Sequence, residues 1–404
     1  MLHTPLGVAA GPHTQLSQNI LAAWLCGARY IELKTVQVLD EPEVSKPCID
    51  MEDEGYNCEW SQELTLEESF REYFNAWVTM HILNAESGCE RDPGTLFNMS
   101  VGYDLKGILS PGVQRFLDRM GNCRAELEDA CRQLARIYPG LQALQIPASI
   151  SDHVTLSTMH GCPPEEIEKI ASYLLTERKL HTTVKLNPTL PGAKRVREIV
   201  NEKLAFPTEI PDEAFAHDLK YPEALRMLEH LQNTAADVGL SFGVKLTNTL
   251  ESLNHRDIFP AKEKMMYMSG RALHPVAVCC AGMLQKDFNG SLDISFSAGA
   301  DCFNLPDILA CGMRPVTVCS DLLRPGGYGR LHQYFQVLRE AMANEGAGSV
   351  DDFILNRAGL VGQGRDSIAV KEAALANLHR YAGVVTENPS FRKDPFASTS
   401  IRTE

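Results

Sequence analysis

No apolar run in the 404-residue chain approaches membrane-spanning length, and the opening MLHTPLGVAAG has neither a basic segment nor a long apolar one. Neither a transmembrane helix nor a secretory leader is therefore expected, and the expected location is cytoplasmic with no membrane partner. No two of the 12 cysteines stand in C-x-x-C spacing, which argues against a zinc site or an iron–sulfur cluster carried by this chain, so no metal is expected. Cys26, Cys279, Cys280 and Cys311 fall inside apolar segments and read as buried free thiols. Positive charge is in the minority: 38 Lys and Arg stand against 52 Asp and Glu, for a net charge of −14. A nucleic-acid partner is excluded on that balance. No G-x-G-x-x-G follows the first strand, which removes the main support for an open dinucleotide-binding sheet. H-E-x-x-H spacing and a nearby Ser/His/Asp order are also missing, so nothing suggests hydrolysis. No internal repeat occurs at solenoid periods.

What is present is a large apolar share, 44% of residues, divided into short runs that alternate with helical patterns. That rhythm predicts a parallel α/β architecture. Strands are expected at 6–10, 30–35, 96–102, 154–157, 182–188, 240–249, 293–297 and 315–319. Helices are expected at 16–26, 63–83, 111–120, 124–137, 163–175, 221–238 and 303–312. Eight strands, each followed by helix, spell a (β/α)8 TIM barrel. One domain over 1–383 is expected, with insertions at the barrel mouth near 189–220 and 252–266. The polar, proline-containing 384–404 reads as a tail or linker.

The strongest local signal lies in DISFSAGADCFNLPDILACG (293–312) and MRPVTVCSDLL (313–323). Each is a strand ending in a small-residue turn that opens a helical segment. Free N–H groups at such turns suit a phosphate, which in a barrel usually sits after strands 7 and 8. A pair of ordinary βα turns is the alternative. Polar residues also stand at expected strand ends: Lys34, Asn98, Thr155, Ser157, Lys185, Asn187, Thr247 and Asn248. A lysine ending an apolar barrel strand needs an anion, an electron-rich ring or a neighbouring carboxylate. The loop STMHGCPPEE (157–166) offers Thr158, His160 and Cys162 just before a helix N-terminus, a position that lowers a thiol pKa. A Gly-Pro loop around a buried cysteine explains it equally well.

TPLGVAAGPHTQ, GARYIELKTVQ, TLSTMHGCPP, VKLNPT, TNTL, YMSGRALHP, ISFSAGAD and VTVCSDLL, taken in order, resemble the FMN barrel of dihydroorotate dehydrogenase and dihydropyrimidine dehydrogenase. AAGPHTQ, FNMSVGY, STMHGCPP and LLRPGGYGRL resemble most the N-terminal barrel of the bacterial group named "putative selenate reductase, iron–sulfur type". The resemblance covers about residues 4–355. It implies an FMN-dependent oxidoreductase, with Ala9, Ala10 and Gly11 against the flavin ring. Lys34, Asn98, Thr155, Lys185, Thr247 and Asn248 would meet its edges. Ser269, Gly270, Ser297, Ala298, Gly299, Cys319 and Ser320 would hold the ribityl chain and phosphate. Ser157 and Asn187 fall on the substrate side. Thr155 stands where that family has Asn, and Ala298-Gly299 where it has Gly-Gly. Thr158, a poor acid, takes the place of the catalytic Cys or Ser, leaving Cys162, Thr158 and His160 as proton-moving candidates.

The expected reaction is two-electron reduction or oxidation of a C=C or C=N bond in a pyrimidine- or purine-like heterocycle. Iron–sulfur clusters and FAD, absent from this chain's motifs, would lie on a partner or further module that exchanges electrons with NAD(P)H, and the resemblance also allows a homodimer. Two alternatives stand beside this reading: a phosphate-binding barrel lyase with a Lys34 or Lys185 Schiff base, and a non-catalytic docking subunit of a redox complex.

Overall fold

The computed structural model describes residues 2–393, apart from 37, 39–45, 52–53, 59–62, 89–91, 158–160, 256–258 and 363–365. Eight parallel strands close into a barrel: β1 (Leu6–Val8), β2 (Tyr30–Glu32), β3 (Leu96–Val101), β4 (His153–Ser157), β5 (His181–Leu186), β6 (Phe242–Leu246), β7 (Asp293–Phe296) and β8 (Val316–Val318). Each expected strand is present. Closure comes through Leu6↔Val316 on one side of β1 and Gly7↔Tyr30 on the other. The apolar runs read as continuous because a barrel strand is covered on both faces.

The outer helices form where the periodicity placed them. Leu66–Glu86 starts at a capping box in which Thr65 accepts from the Glu68 N–H and Glu68 reaches back to the Thr65 N–H. It buries Phe70, Tyr73, Ala76, Trp77 and Met80, spaced three and four residues apart. Helix Pro164–Thr176 has its proline at the first position. The expected 303–312 helix is shorter, Leu305–Ala310, and ends before Gly312 at φ +74°.

Three segments differ from expectation. Residues 189–220 are not without rhythm: Ala193–Arg197 is an α-helix that widens into a π-helix over Glu198–Lys203, burying Val196, Ile199, Val200 and Leu204. The three- and four-residue spacing of those four was masked by the charged residues between them. The 252–266 region, read as a loop, sits in a hairpin between Leu250–Leu253 and Met265–Ser269. With Ile49–Met51 and Gly55–Asn57 these make a four-stranded antiparallel sheet. The sheet meets the first insertion through Tyr56 Oη and Thr208 Oγ1, 2.6 Å apart. The chain beyond 384 is packed as far as Lys393, with Val385 and Phe391 in the main core. Arg271 donates to the Ser390 and Arg392 carbonyls, and Lys393 pairs with the buried Glu54. Polarity there concealed two apolar anchors. Among the described residues no helix is long and apolar enough to cross a membrane.

Candidate active site at the barrel mouth

The loops that follow the C-terminal ends of the strands, together with the small sheet, enclose a cleft of about 410 Å³. That volume is in the range of roughly 300–1,000 Å³ typical of small-molecule and cofactor sites. The cleft has two chemically distinct ends.

At one end lie Lys34, after β2, and Lys185, in β5, with Ser157 and Thr35 between the strands they end. Ala9, Ala10 and Gly11 form the adjoining wall. Their backbone is tied down from below: the Ala9 N–H donates to the Val318 carbonyl at 3.0 Å, and the Gly11 N–H to Thr14 Oγ1 at 3.3 Å. Thr247 and Asn248 follow β6 on the same wall. Asn248 Nδ2 donates to Asn187 Oδ1 at 2.7 Å, so Asn187, which is not on the cleft lining, orients Asn248.

At the other end three turns converge. Ser269-Gly270 closes the small sheet, Ser297-Ala298-Gly299 follows β7, and Cys319-Ser320 follows β8. Ser320 Oγ donates to Ser269 Oγ at 2.9 Å. Gly299 has φ +59°, and a Cβ there would sit 2.5 Å from the Gly270 carbonyl oxygen. The turn therefore requires glycine on two counts. This end narrows into a pocket of about 30 Å³, with Arg324 and Asp321 on its wall. Arg330, also there, is held bidentately by Asp321 at 2.8 and 3.0 Å. Burial pushes the Cys319 thiol up, against the opposing charges of Lys34 and Lys185. Beneath the turns, His274 is fully buried, with Nδ1 3.1 Å from the Ala298 carbonyl and Nε2 2.7 Å from Tyr381 Oη. Burial lowers its pKa to about 3.

The structure thus brings together most of the residues that the motifs singled out. Asn98 and Thr155 are exceptions: they are buried in the barrel interior, where Asn98 Nδ2 donates to Thr155 Oγ1 at 2.7 Å, and neither lines the cleft. Cys162 is a second departure. It is half-buried beside Asp104 and Glu166 and does not line the cleft. Burial first, and then the Glu166 and Asp104 charges, push its thiol up to about 11, opposite to the lowering expected of a helix N-terminus. Thr158 and His160 lie outside the described residues. Among the described residues no group of three or more His, Cys, Asp or Glu could hold a metal ion.

Motif reading missed Glu32 and Lys245. Both are strand residues, Glu32 closing β2 and Lys245 within β6, and both are buried in the barrel, where they form an ion pair. Lys245 Nζ also donates to Thr317 Oγ1 at 2.8 Å. Burial raises the Glu32 carboxyl, but the Lys245 and Lys185 charges and the Ala10 N–H more than offset it, leaving Glu32 below the usual range. The one available signal was a charge inside each of YIELKT and GVKLTN.

The sequence model of the family described as "Oxidoreductase YgfK, N-terminal TIM-barrel domain" matches residues 1–359. "Putative oxidoreductase YgfK" of Escherichia coli K12 and of E. coli O157:H7 are each 47% identical over 374 residues, covering 88% of this chain. This chain spans only 36% of the length of those relatives. Among solved structures, ligand-free DHODH (dihydroorotate dehydrogenase) of Eimeria tenella aligns with a TM-score of 0.52 at 16% identity, covering 89% of both chains. DHODH of the same organism in complex with ferulenol gives 0.54, also at 16% identity, covering 87% of this chain and 85% of that one. At that identity the likeness is one of fold.

Proposed function

This chain belongs to the family of the YgfK N-terminal TIM-barrel oxidoreductase domain, and on that premise we propose that it holds FMN in the mouth cleft and acts as the barrel module of a two-electron oxidoreductase. The observation that carries the proposal is the pairing of two lysines at one end of a single cleft with three converging small-residue turns at the other. An isoalloxazine ring suits the first end and a phosphate the second.

The residues present fit that group. The Ala9-Ala10-Gly11 wall has no side chain beyond a methyl, so a flat ring can lie against backbone. Ser269, Ser297 and Ser320 offer hydroxyls, and the turns at Gly270 and Gly299 offer backbone, where a phosphate would sit. FMN, when bound, supplies two-electron transfer at a planar ring. Lys34 and Lys185 bring positive charge to that ring's edge, which favours its reduced, anionic form. Asn187 fixes Asn248, and Asn248 and Thr247, both on the cleft lining, would meet the ring edge.

The proposed substrate is a pyrimidine- or purine-like heterocycle, whose C=C or C=N bond is reduced or formed. Ser157, on the lining, would meet it. The placement of Cys162 leaves Thr158 and His160 as the proposed proton-moving residues. Both follow closely after Ser157, the last residue of β4, in the sequence. Asn98 and Thr155 act from below, shaping the floor. Electrons are proposed to pass to an iron–sulfur, FAD or NAD(P)H-linked module in the part of the relatives' length that this chain does not span. An organic substrate is preferred to selenate because the cleft pairs a flat, small-residue wall with hydrogen-bonding edges.

The test is an absorption spectrum of the purified protein, with the released cofactor identified by mass. Oxidised-flavin bands and release of FMN are the expected result, with flavin retention weakened in Lys34→Ala. A colourless protein that takes up no added FMN overturns the proposal, and trapping by borohydride with substrate would then support a lysine Schiff base instead.

A further inference from the structure

The interior of a (β/α)8 barrel is ordinarily filled by layers of branched apolar side chains. Here the layer directly beneath the cleft contains Glu32, 0% exposed, and Lys245, 1% exposed, bonded to each other. The same carboxylate oxygen, Oε2, also accepts the Ala10 N–H at 3.2 Å, and Ala10 is part of the cleft wall. Oε1 is buried and has no hydrogen-bond partner. The carboxylate therefore acts wholly through Oε2, on the lysine and on the cleft wall. Lys185 on the lining and Cys319, whose sulfur lies against Gly11 of that same wall, both interact electrostatically with the pair.

A buried ion pair is a poor source of stability, because apolar residues of similar volume commonly do as well or better. Its position suggests a different use. We propose that Glu32 and Lys245 set the charge beneath the ring end of the cleft: Glu32 positions the Ala10 N–H and compensates Lys245, so that the charge of Lys245 does not add to that of Lys34 and Lys185 at the bound ring. The pair acts on the group in the cleft through the wall and the field, and both are positioning residues. This inference rests on the FMN reading.

Removing one member leaves one unbalanced charge under the ring. An extra positive charge favours the reduced, anionic ring and an extra negative charge disfavours it. The effect of one charge several ångströms away, at an effective dielectric near 20, is on the order of tenfold in the ratio of affinities for oxidised and reduced FMN. For a two-electron couple a tenfold change is about 30 mV.

The experiment measures the midpoint potential of bound FMN by reductive titration at pH 6 in the wild-type chain, Glu32→Gln, Lys245→Met and the double variant, with FMN affinity and thermal midpoint alongside. The expected result is a higher potential in Glu32→Gln, a lower one in Lys245→Met and a return to near wild type in the double variant. If only one single variant folds, the direction of its shift decides. Single variants that bind FMN at an unchanged potential, while losing thermal stability, overturn the inference and leave the pair a packing feature. A wild-type chain that takes up no FMN overturns the functional reading, and this inference falls with it.

Discussion

The two ends of the cleft are built on opposite physical principles. The narrow end is local: hydroxyls and backbone from three turns, each made by residues adjacent in sequence, ringed by Arg271, Arg324 and Arg330 and by Asp301 and Asp321, with Arg330 held by Asp321. The wide end is charged and non-local. Lys34 and Lys185 line it, and below them Glu32 reaches Lys245 across 213 residues of chain. A turn tolerates substitution of a hydroxyl because water can replace it, whereas a buried charge loses both its partner and its solvent.

The largest expected effect tests that contrast directly. Lys245→Ala leaves Glu32 buried and unpaired and should cost about 3–5 kcal/mol of stability, whereas Ser320→Ala at the other end should cost about 1 kcal/mol or less. Denaturant unfolding with both variants in parallel measures the difference. Equal losses would mean that the charged floor is no more critical than the turns. Recovery of most of the loss in Glu32→Gln/Lys245→Ala would assign it to unpaired charge rather than to the cavity.

A second prediction concerns pH. His274, under the narrow end, takes up a proton in the folded state only near pH 3, whereas in the unfolded chain it does so near 6.5. The unfolded state therefore binds more protons between those values, and stability falls as the pH is lowered. The loss should be about 2 kcal/mol between pH 6.5 and 5. Glu32 has the opposite sign of charge but the same sense of dependence: its folded pKa is depressed, so its contribution is present above the unfolded carboxylate pKa and is lost as pH falls through the folded one. The two separate by range, His274 acting from 6.5 downward and Glu32 only at more acidic pH. His274→Asn should flatten the profile from 6.5 down to about 3, most cleanly between 6.5 and 5, where Glu32 does not yet contribute, and leave only the carboxylate-driven loss at acidic pH.

Gly299 gives the narrow end its own point of failure. Any side chain there meets the Gly270 carbonyl and Arg271 Cα at 2.5 and 2.8 Å, and must adopt a left-handed backbone at a cost of about 1–2 kcal/mol. Gly299→Val should weaken FMN binding by at least roughly tenfold, the equivalent of that cost, in a fluorescence titration. Unchanged affinity would place the phosphate elsewhere.

These positions also mark what could be read before the fold was known. Strands β7 and β8 and their turns are legible because turn chemistry is written in adjacent residues: Gly299 and Ser320 announce themselves by what surrounds them. Lys34 and Lys185 are legible as charges at the ends of apolar runs. Glu32 and Lys245 carry the same kind of signal, yet each makes sense only beside the other, and no local pattern links β2 to β6. The Ala193–Lys203 helix and the Phe391 anchor were concealed for a related reason, since a few apolar contacts decide their placement while the surrounding charge dominates their composition.

Cys162 belongs to neither end, and the smallest effect is expected there. Its position before Pro164–Thr176 suggests a thiol activated by a helix N-terminus, but partial removal from water, with the charges of Glu166 and Asp104, acts the other way. With a pKa near 11, only about one thiol in ten thousand is ionised at pH 7. Cys162 should therefore react slowly with iodoacetamide at neutral pH, faster only as the solution becomes alkaline. Cys162→Ala should change FMN affinity by less than about twofold and stability by about 1 kcal/mol or less, the ordinary range for a site outside core and active centre. Rapid neutral-pH alkylation with loss of substrate-linked flavin oxidation would bring this thiol into the cleft, and the proton would then move at Cys162 rather than at Thr158 or His160.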